Sequence, residues 1–215
     1  MTRRTLPVAV ATTAAAALLL SACGGGGTKA SDKIAGSESS APPSASASAS
    51  PSQAAGRPTI TLPADVKNVF ETWATGEPVK DAILGDVTGR INATDAAIVS
   101  EDPESAAIPF YYKGEALIGA AKWIVDYKKE GRTITGTTRF FSPKVQVSND
   151  TSAVVSYCSD ETKAFDKDRK TGKVNEDPAT SNSYVLYSTK VDKNSQGVWQ
   201  TTQLVSKRGD KSCAP

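Results

Sequence analysis

Histidine is absent from all 215 residues. That removes the side chain that most often acts as a general base near neutral pH or as a metal ligand. Charge of one sign is lacking too, with 25 Lys and Arg against 23 Asp and Glu. From residue 58 onward 20 basic residues face 21 acidic ones, a net of −1. No clustered basic excess is left for a nucleic acid. Cysteine is scarce, with three in the chain, at 23, 158 and 213. No C-x-x-C pair, Gly-rich phosphate loop or metal-ligand cluster is present, so no cofactor is called for.

What is present divides unevenly. Met1 to Arg4 supply a positive start, and residues 6–20 form an apolar stretch of 15 residues that ends in Ser21 and Ala22. A membrane-crossing helix needs about 20 apolar residues, so the segment is short for a permanent span. It reads as a signal peptide over 1–22. Leu20-Ser21-Ala22-Cys23 resembles the lipobox of bacterial lipoproteins at all four positions. The resemblance implies a diacylglycerol thioether on Cys23, cleavage between Ala22 and Cys23, and acylation (palmitate, for example) of the new amino group. Two or more chains anchor stably where one is marginal. "TRRTLPV" at 2–8 loosely resembles a twin-arginine export signal, and the general and twin-arginine routes both stay open.

Residues 24–57 are nearly devoid of large apolar side chains. Such a segment cannot offset its ordering entropy. As a flexible linker of 34 residues it spans roughly 30 Å r.m.s.. The expected organisation is a signal peptide at 1–22, a lipidated cysteine and linker at 23–57, and one domain at 58–215. The expected location is the outer face of the cytoplasmic membrane.

Within the domain, "TLPADVKNVFETW" spaces Val66, Val69, Phe70 and Trp73 at i, i+3, i+4 and i+7, which predicts a helix. "PVKDAILGDVTGRINATDAAIVSE" predicts a second, with Val79, Ile83, Val87, Ile91 and Ile98 on one stripe. Gly85 and Gly89 mark a break in it or a close approach. "GEALIGAAKWIVDYKKEG" predicts a third, closed by Gly131. The period then changes to two: "TITGTTRFF" and "KVQVS" make one strand interrupted at Pro143, "TSAVVSYC" a second, and "SYVLYSTKV" and "GVWQTTQLV" a hairpin. Helices first and strands second predict an α+β domain, with amino-terminal helices packed on a curved, mainly antiparallel sheet.

Three stretches, "GEALIGAAKWIVDYKKEG" running into a strand, "VVSYCSDET", and the closing "GVWQTTQLVSKRGDKSC", resemble the nuclear transport factor 2-like fold, especially secreted actinobacterial lipoproteins of that group. The resemblance implies a cone-shaped cavity between sheet and helices. With Cys23 assigned to lipid, Cys158 and Cys213 remain as an even pair in an exported chain, where disulfides persist. "DKDRKTGKVNED" at 166–177 begins with EF-hand spacing at Asp166 and Asp168. Lys170 then takes a ligand position and Gly172 comes one place late, so a charged hairpin is the better reading.

The chain is expected to be a non-catalytic binding or accessory module of the cell envelope, taking a small apolar ligand or an envelope protein. Phe70, Trp73, Tyr112 and Trp123 are the candidate cavity-lining residues. A second class is an isomerase- or dehydratase-like enzyme, because some members of the fold use an aspartate base with tyrosine donors. Tyr111, Tyr112, Tyr127, Tyr157, Tyr184 and Asp126 are the available residues, with Asp126 reading as exposed. No nucleophile–base pair supports that class. A third is a homodimer paired through the sheet face.

Overall fold

The structure is a computed structural model and describes residues 56–214. The signal and lipidation assignments at Ala22 and Cys23, and the linker up to residue 55, lie outside the described residues. The elements are β1 (Val66–Phe70), α1 (Pro78–Ser100), α2 (Ala107–Tyr111), α3 (Gly114–Lys129), β2 (Arg132–Asn149), β3 (Ser152–Asp168), β4 (Val174–Asn175), β5 (Tyr184–Lys193) and β6 (Trp199–Arg208). The sheet order is β1-β2-β3-β5-β6, with β4 beside β3. β1 pairs with β2 in parallel and the remaining pairs are antiparallel. Helices on a curved, mixed, unclosed sheet make the domain α+β, the arrangement expected from the sequence.

α1 runs unbroken through both glycines. Pro78 opens it, and Asp81 accepts the backbone N–H of Thr75 at 2.6 Å and of Gly76 at 3.1 Å. Ile83, Val87, Ile91 and Ile98 are buried as their stripe predicts, while Val79 in the first turn stays 53% exposed. Gly89 marks a close approach: a Cβ there would stand 2.4 Å from the Tyr111 ring and hydroxyl. α3 ends as expected, with the Gly131 N–H donating to the Lys128 carbonyl at 3.1 Å.

The first expected helix is a strand. Val66, Asn68 and Phe70 alternate with Lys67 and Val69, so the segment satisfies a period of two as well as the helical spacing. Pairing with Gly136–Phe140 of β2 decides between them, a tertiary choice that local spacing does not encode. β3 is also longer than expected, running past Cys158 to Asp168. Cys158 therefore sits mid-strand, between Phe141 and Leu186. The β2 interruption falls where Pro143 predicts, with a register shift between Phe141 and Lys144. Ser142 takes φ 52° there. At Gly136 (φ 96°) a Cβ would stand 2.1 Å from the Lys163 carbonyl oxygen, so the tight bend requires glycine.

Two apolar cores fill the space between helices and sheet. One is aromatic and gathers Phe70, Trp73, Phe140, Tyr157 and Trp199 around Ile83, Leu84, Val87 and Ile91. The other joins the carboxyl half of α1 to α2 and α3 through Ile98, Ile108, Tyr111, Ile124 and Tyr127. Cys158 and Cys213 form a disulfide with Cα atoms 5.5 Å apart, closing 55 residues. A loop of that length is worth about 4 kcal/mol in the chain-entropy account.

Candidate functional site

Between the two cores lies a group of polar side chains that the chain's own periodicities carry inward. Asn68 shares a face of β1 with Phe70, because side chains two apart on a strand point the same way. Arg90 falls one heptad after Ile83, on the apolar stripe of α1, with Thr94 and Asp95 one turn further on. On β3 the inward set is Tyr157, Ser159 and Glu161. Beyond Glu161 the register with β2 shifts between Arg139 and Thr137, and Asp166 turns toward α3.

Arg90 is 4% exposed. Its guanidinium donates to the Tyr112 hydroxyl at 3.2 Å and to the Tyr157 hydroxyl. Both rings wall it, with centroids 5.6 and 6.0 Å away. Thr94 Oγ1 lies 2.8 Å from the Tyr112 hydroxyl. Among the described residues Arg90 forms no carboxylate ion pair, and its Nε is buried without a hydrogen-bond partner. An arginine stays charged at any relevant pH, so the interior holds a cation stabilised by phenols.

Asp95 accepts from the Asn68 amide at 2.6 Å, and the same amide reaches Asn92 Oδ1 at 3.0 Å. Burial pushes the Asp95 carboxyl up to about 6, against the Asn68 hydrogen bond and the Arg90 charge, with the nearby Glu161 charge adding to the rise. Glu161 accepts from Ser159 at 3.0 Å and from Arg208 at 2.7 Å, and lies 3.4 Å from the Tyr187 hydroxyl. Tyr127 donates to Asp166 at 2.8 Å, and Arg132 pairs with the same carboxylate. Burial raises the phenols of Tyr127, Tyr157 and Tyr187, so all three stay protonated donors near neutral pH. The group can hold a proton on Asp95 below about pH 6, within electrostatic range of the Tyr157 hydroxyl.

The four candidate lining residues separate. Phe70 stacks on Phe140 at 5.0 Å, and Trp73 donates its indole N–H to the Leu84 carbonyl at 3.1 Å, both inside the aromatic core. Tyr112 is the one that touches the polar group. Trp123 is 49% exposed on α3, edge-on to Tyr127 at 5.2 Å, because its position faces away from both cores. Two depressions among the described residues lie elsewhere. One of about 60 Å³ is lined by Thr137, Arg139, Asp160 and Thr162, and one of about 410 Å³ by Val79, Lys80, Val147 and Lys193. Of the residues weighed for acid–base work, Asp126 is paired with Lys122 at 2.5 Å at the surface. Tyr111 and Tyr157 are each 1% exposed.

Sequence reasoning missed Asn68, Arg90, Asp95 and Glu161. The signal was available for Arg90, a charge seven residues after Ile83 on a stripe otherwise apolar. In the 166–177 hairpin Asp168 accepts from the Thr171 backbone and hydroxyl at 2.7 and 2.6 Å. Arg169 donates to the last carbonyls of α1, at Ile98 and Val99.

No family model and no curated protein sequence matches the chain. Among solved structures, the intermembrane space region of the chloroplast protein ARC6 is similar at 13% identity, covering 57% of this chain and 92% of that one, TM-score 0.41. A nuclear transport factor 2-like superfamily protein from Salmonella enterica serovar Typhimurium is similar at 13% identity, covering 60% and 93%, TM-score 0.40. A ketosteroid isomerase-like protein from Erwinia carotovora atroseptica shares 17% identity over 57% and 92%, TM-score 0.37. Likeness at these scores carries no argument about activity.

Proposed function

We propose that the chain is an exported lipoprotein, held by acyl chains on Cys23 at the outer face of the cytoplasmic membrane. Its nuclear transport factor 2-like domain then acts as a non-catalytic binding module. The Leu20–Cys23 sequence supports the anchor. One observation supports the binding role: the carboxylates of the polar group and the two most buried ones are each engaged by a protein donor, Asp95 by Asn68, Glu161 by Arg208, Asp166 by Arg132, Asp86 by Arg57 and Asp160 by Arg139. A general base needs a lone pair aimed at substrate. Cell fractionation with palmitate labelling tests the anchor. The wild-type chain is expected in the membrane fraction with label, and Cys23→Ala is expected to lose both; membrane retention of the unlabelled variant refutes it.

The isomerase- or dehydratase-like reading keeps one specific support, the Asp95 carboxyl near 6 within electrostatic range of the buried Tyr157 phenol. Native mass spectrometry of protein purified from its source, looking for a retained small molecule, tests the binding role. Turnover of a carbonyl substrate that Asp95→Asn abolishes would replace binding by catalysis.

A further inference from the structure

Donors and acceptors around Arg90 do not balance. A guanidinium carries five N–H groups and no acceptor. Among the described residues two of Arg90's are spent, on the hydroxyls of Tyr112 and Tyr157. Nε is enclosed without a partner, and the terminal nitrogens carry the other spare N–H groups. Thr94 commits its hydroxyl proton to the Arg90 carbonyl at 3.0 Å, so Tyr112 is the donor in its 2.8 Å contact with Thr94. Tyr157 keeps its own proton because burial raises the phenol. Among the described residues no group accepts that proton. What is left over is donors alone, gathered around one positive charge.

The nearest carboxylates do not neutralise that charge by contact. Asp95 lies within electrostatic range of Arg90 without pairing with it, and Glu161 is held by Arg208 at 2.7 Å. A buried charge without a partner is costly. Access to it runs along the concave face of the sheet. Tyr157 stacks on Tyr187 at 5.1 Å, and Tyr187, on the same face, is only half-buried. Opposite Tyr187 on β6 stands the exposed Ser206, and beside it the half-buried Leu204 faces Thr189. Residues paired across strands share a face. Ser206, Tyr187 and Leu204 thus line an approach from water to Tyr157.

We infer that the interior takes a small carboxylic acid, its carboxylate on Arg90 and the Tyr157 hydroxyl and its apolar body along Tyr187 and Leu204. The inference rests on the reading of the domain as a binding module and names its ligand. A carboxylate accepts from several donors at once and brings the missing negative charge. One charge fits better than two: Arg90 is a single cation, and Asp95 within its range would repel a dianion such as phosphate.

Isothermal titration calorimetry of the full chain in a non-ionic detergent tests this, with benzoate and its neutral isostere benzamide as probes. Benzoate is expected to bind at least about tenfold more tightly, the scale of one hydrogen bond to a charged group. Arg90→Met is expected to bring the two affinities within about twofold of each other. Tyr157→Phe keeps the ring in the aromatic core and removes only the hydroxyl. It should weaken benzoate by about threefold to tenfold, and it decides the matter where Arg90→Met fails to fold. Benzamide bound as tightly as benzoate, or neither probe bound, overturns the inference. So does a benzoate preference that survives Arg90→Met, or benzoate binding that Tyr157→Phe leaves unchanged. A neutral molecule retained through purification would overturn it too, and would leave the binding module standing.

Discussion

Asn68 and Phe70 point the same way from one strand, two residues apart, into opposite surroundings. Phe70 enters an aromatic core in which Phe140, Trp73 and Tyr157 meet edge and face at 5.0–6.5 Å. Asn68 enters a group of charges and hydroxyls fixed by hydrogen bonds. The aromatic end is held by shape, so its stability scales with volume filled. The polar end is held by pairing, so its stability depends on protonation and on each partner being present. Tyr157 belongs to both, its ring in the core and its hydroxyl on Arg90. The contrast predicts different failure modes, and substitutions on each side separate them.

The largest effect is expected at the aromatic end. Trp73→Ala removes a side chain 5% exposed and should lower stability by about 3–5 kcal/mol at any pH. Denaturant unfolding at pH 4.5 and pH 8 checks both the size and the indifference to pH. A pH-dependent loss would show that the two ends are not energetically distinct.

Asp95→Asn is expected to act the opposite way. Asp95 is held near 6 in the folded chain, against about 3.9 unfolded. Below about pH 4 both states carry the proton and the group's contribution is fully present. Between about 4 and 6 the folded state keeps a proton that the unfolded chain has released, so stability falls as pH rises. Asparagine carries no such charge and still accepts from Asn68. The variant should therefore match wild type near pH 4 and exceed it by about 2–3 kcal/mol at pH 8. Equal stability at both pH values would remove the buried-acid assignment.

Two smaller effects mark the borders of the comparison. Gly89→Ala drives a methyl into the Tyr111 ring and should cost about 1–3 kcal/mol by overpacking, measured by thermal unfolding. Trp123→Ala, on the exposed side of α3, should change stability by at most about 0.5 kcal/mol. A larger loss there would show that Trp123 belongs to the interior after all.

Much of the fold was legible because its signals are local. Pro78 and the Ile83–Val87–Ile91 stripe specify α1, Gly131 ends α3, Pro143 breaks β2, and the polar turn before Gly197 makes the last hairpin. β1 was not, because "VKNVF" satisfies both periods and its partner lies some seventy residues away in sequence. The extension of β3 was hidden for a related reason: "DETKAFDKD" alternates poorly, and its inward residues are acids that need Arg208, Tyr127 and Arg132 as partners. The polar group was missed as a set. Each member is a common charged or amide residue, and nothing local shows that Asn68, Arg90, Asp95 and Glu161 converge. Arg90 alone breaks a pattern visible in the sequence.

Arg57, expected to close the linker, is fastened to the domain. Its guanidinium holds Asp86 of α1 through two bonds of 2.9 Å and reaches the Gly197 carbonyl at 3.3 Å, while Asp86 also accepts the Trp199 N–H at 2.9 Å. Mechanically this is a strain relief. A pull along the preceding chain loads the long helix and the last hairpin before it reaches the five-residue ladder of β1, the edge strand most easily peeled away. Tension on the chain's amino-terminal side thus reaches α1 and the last hairpin ahead of β1 and the polar group behind it.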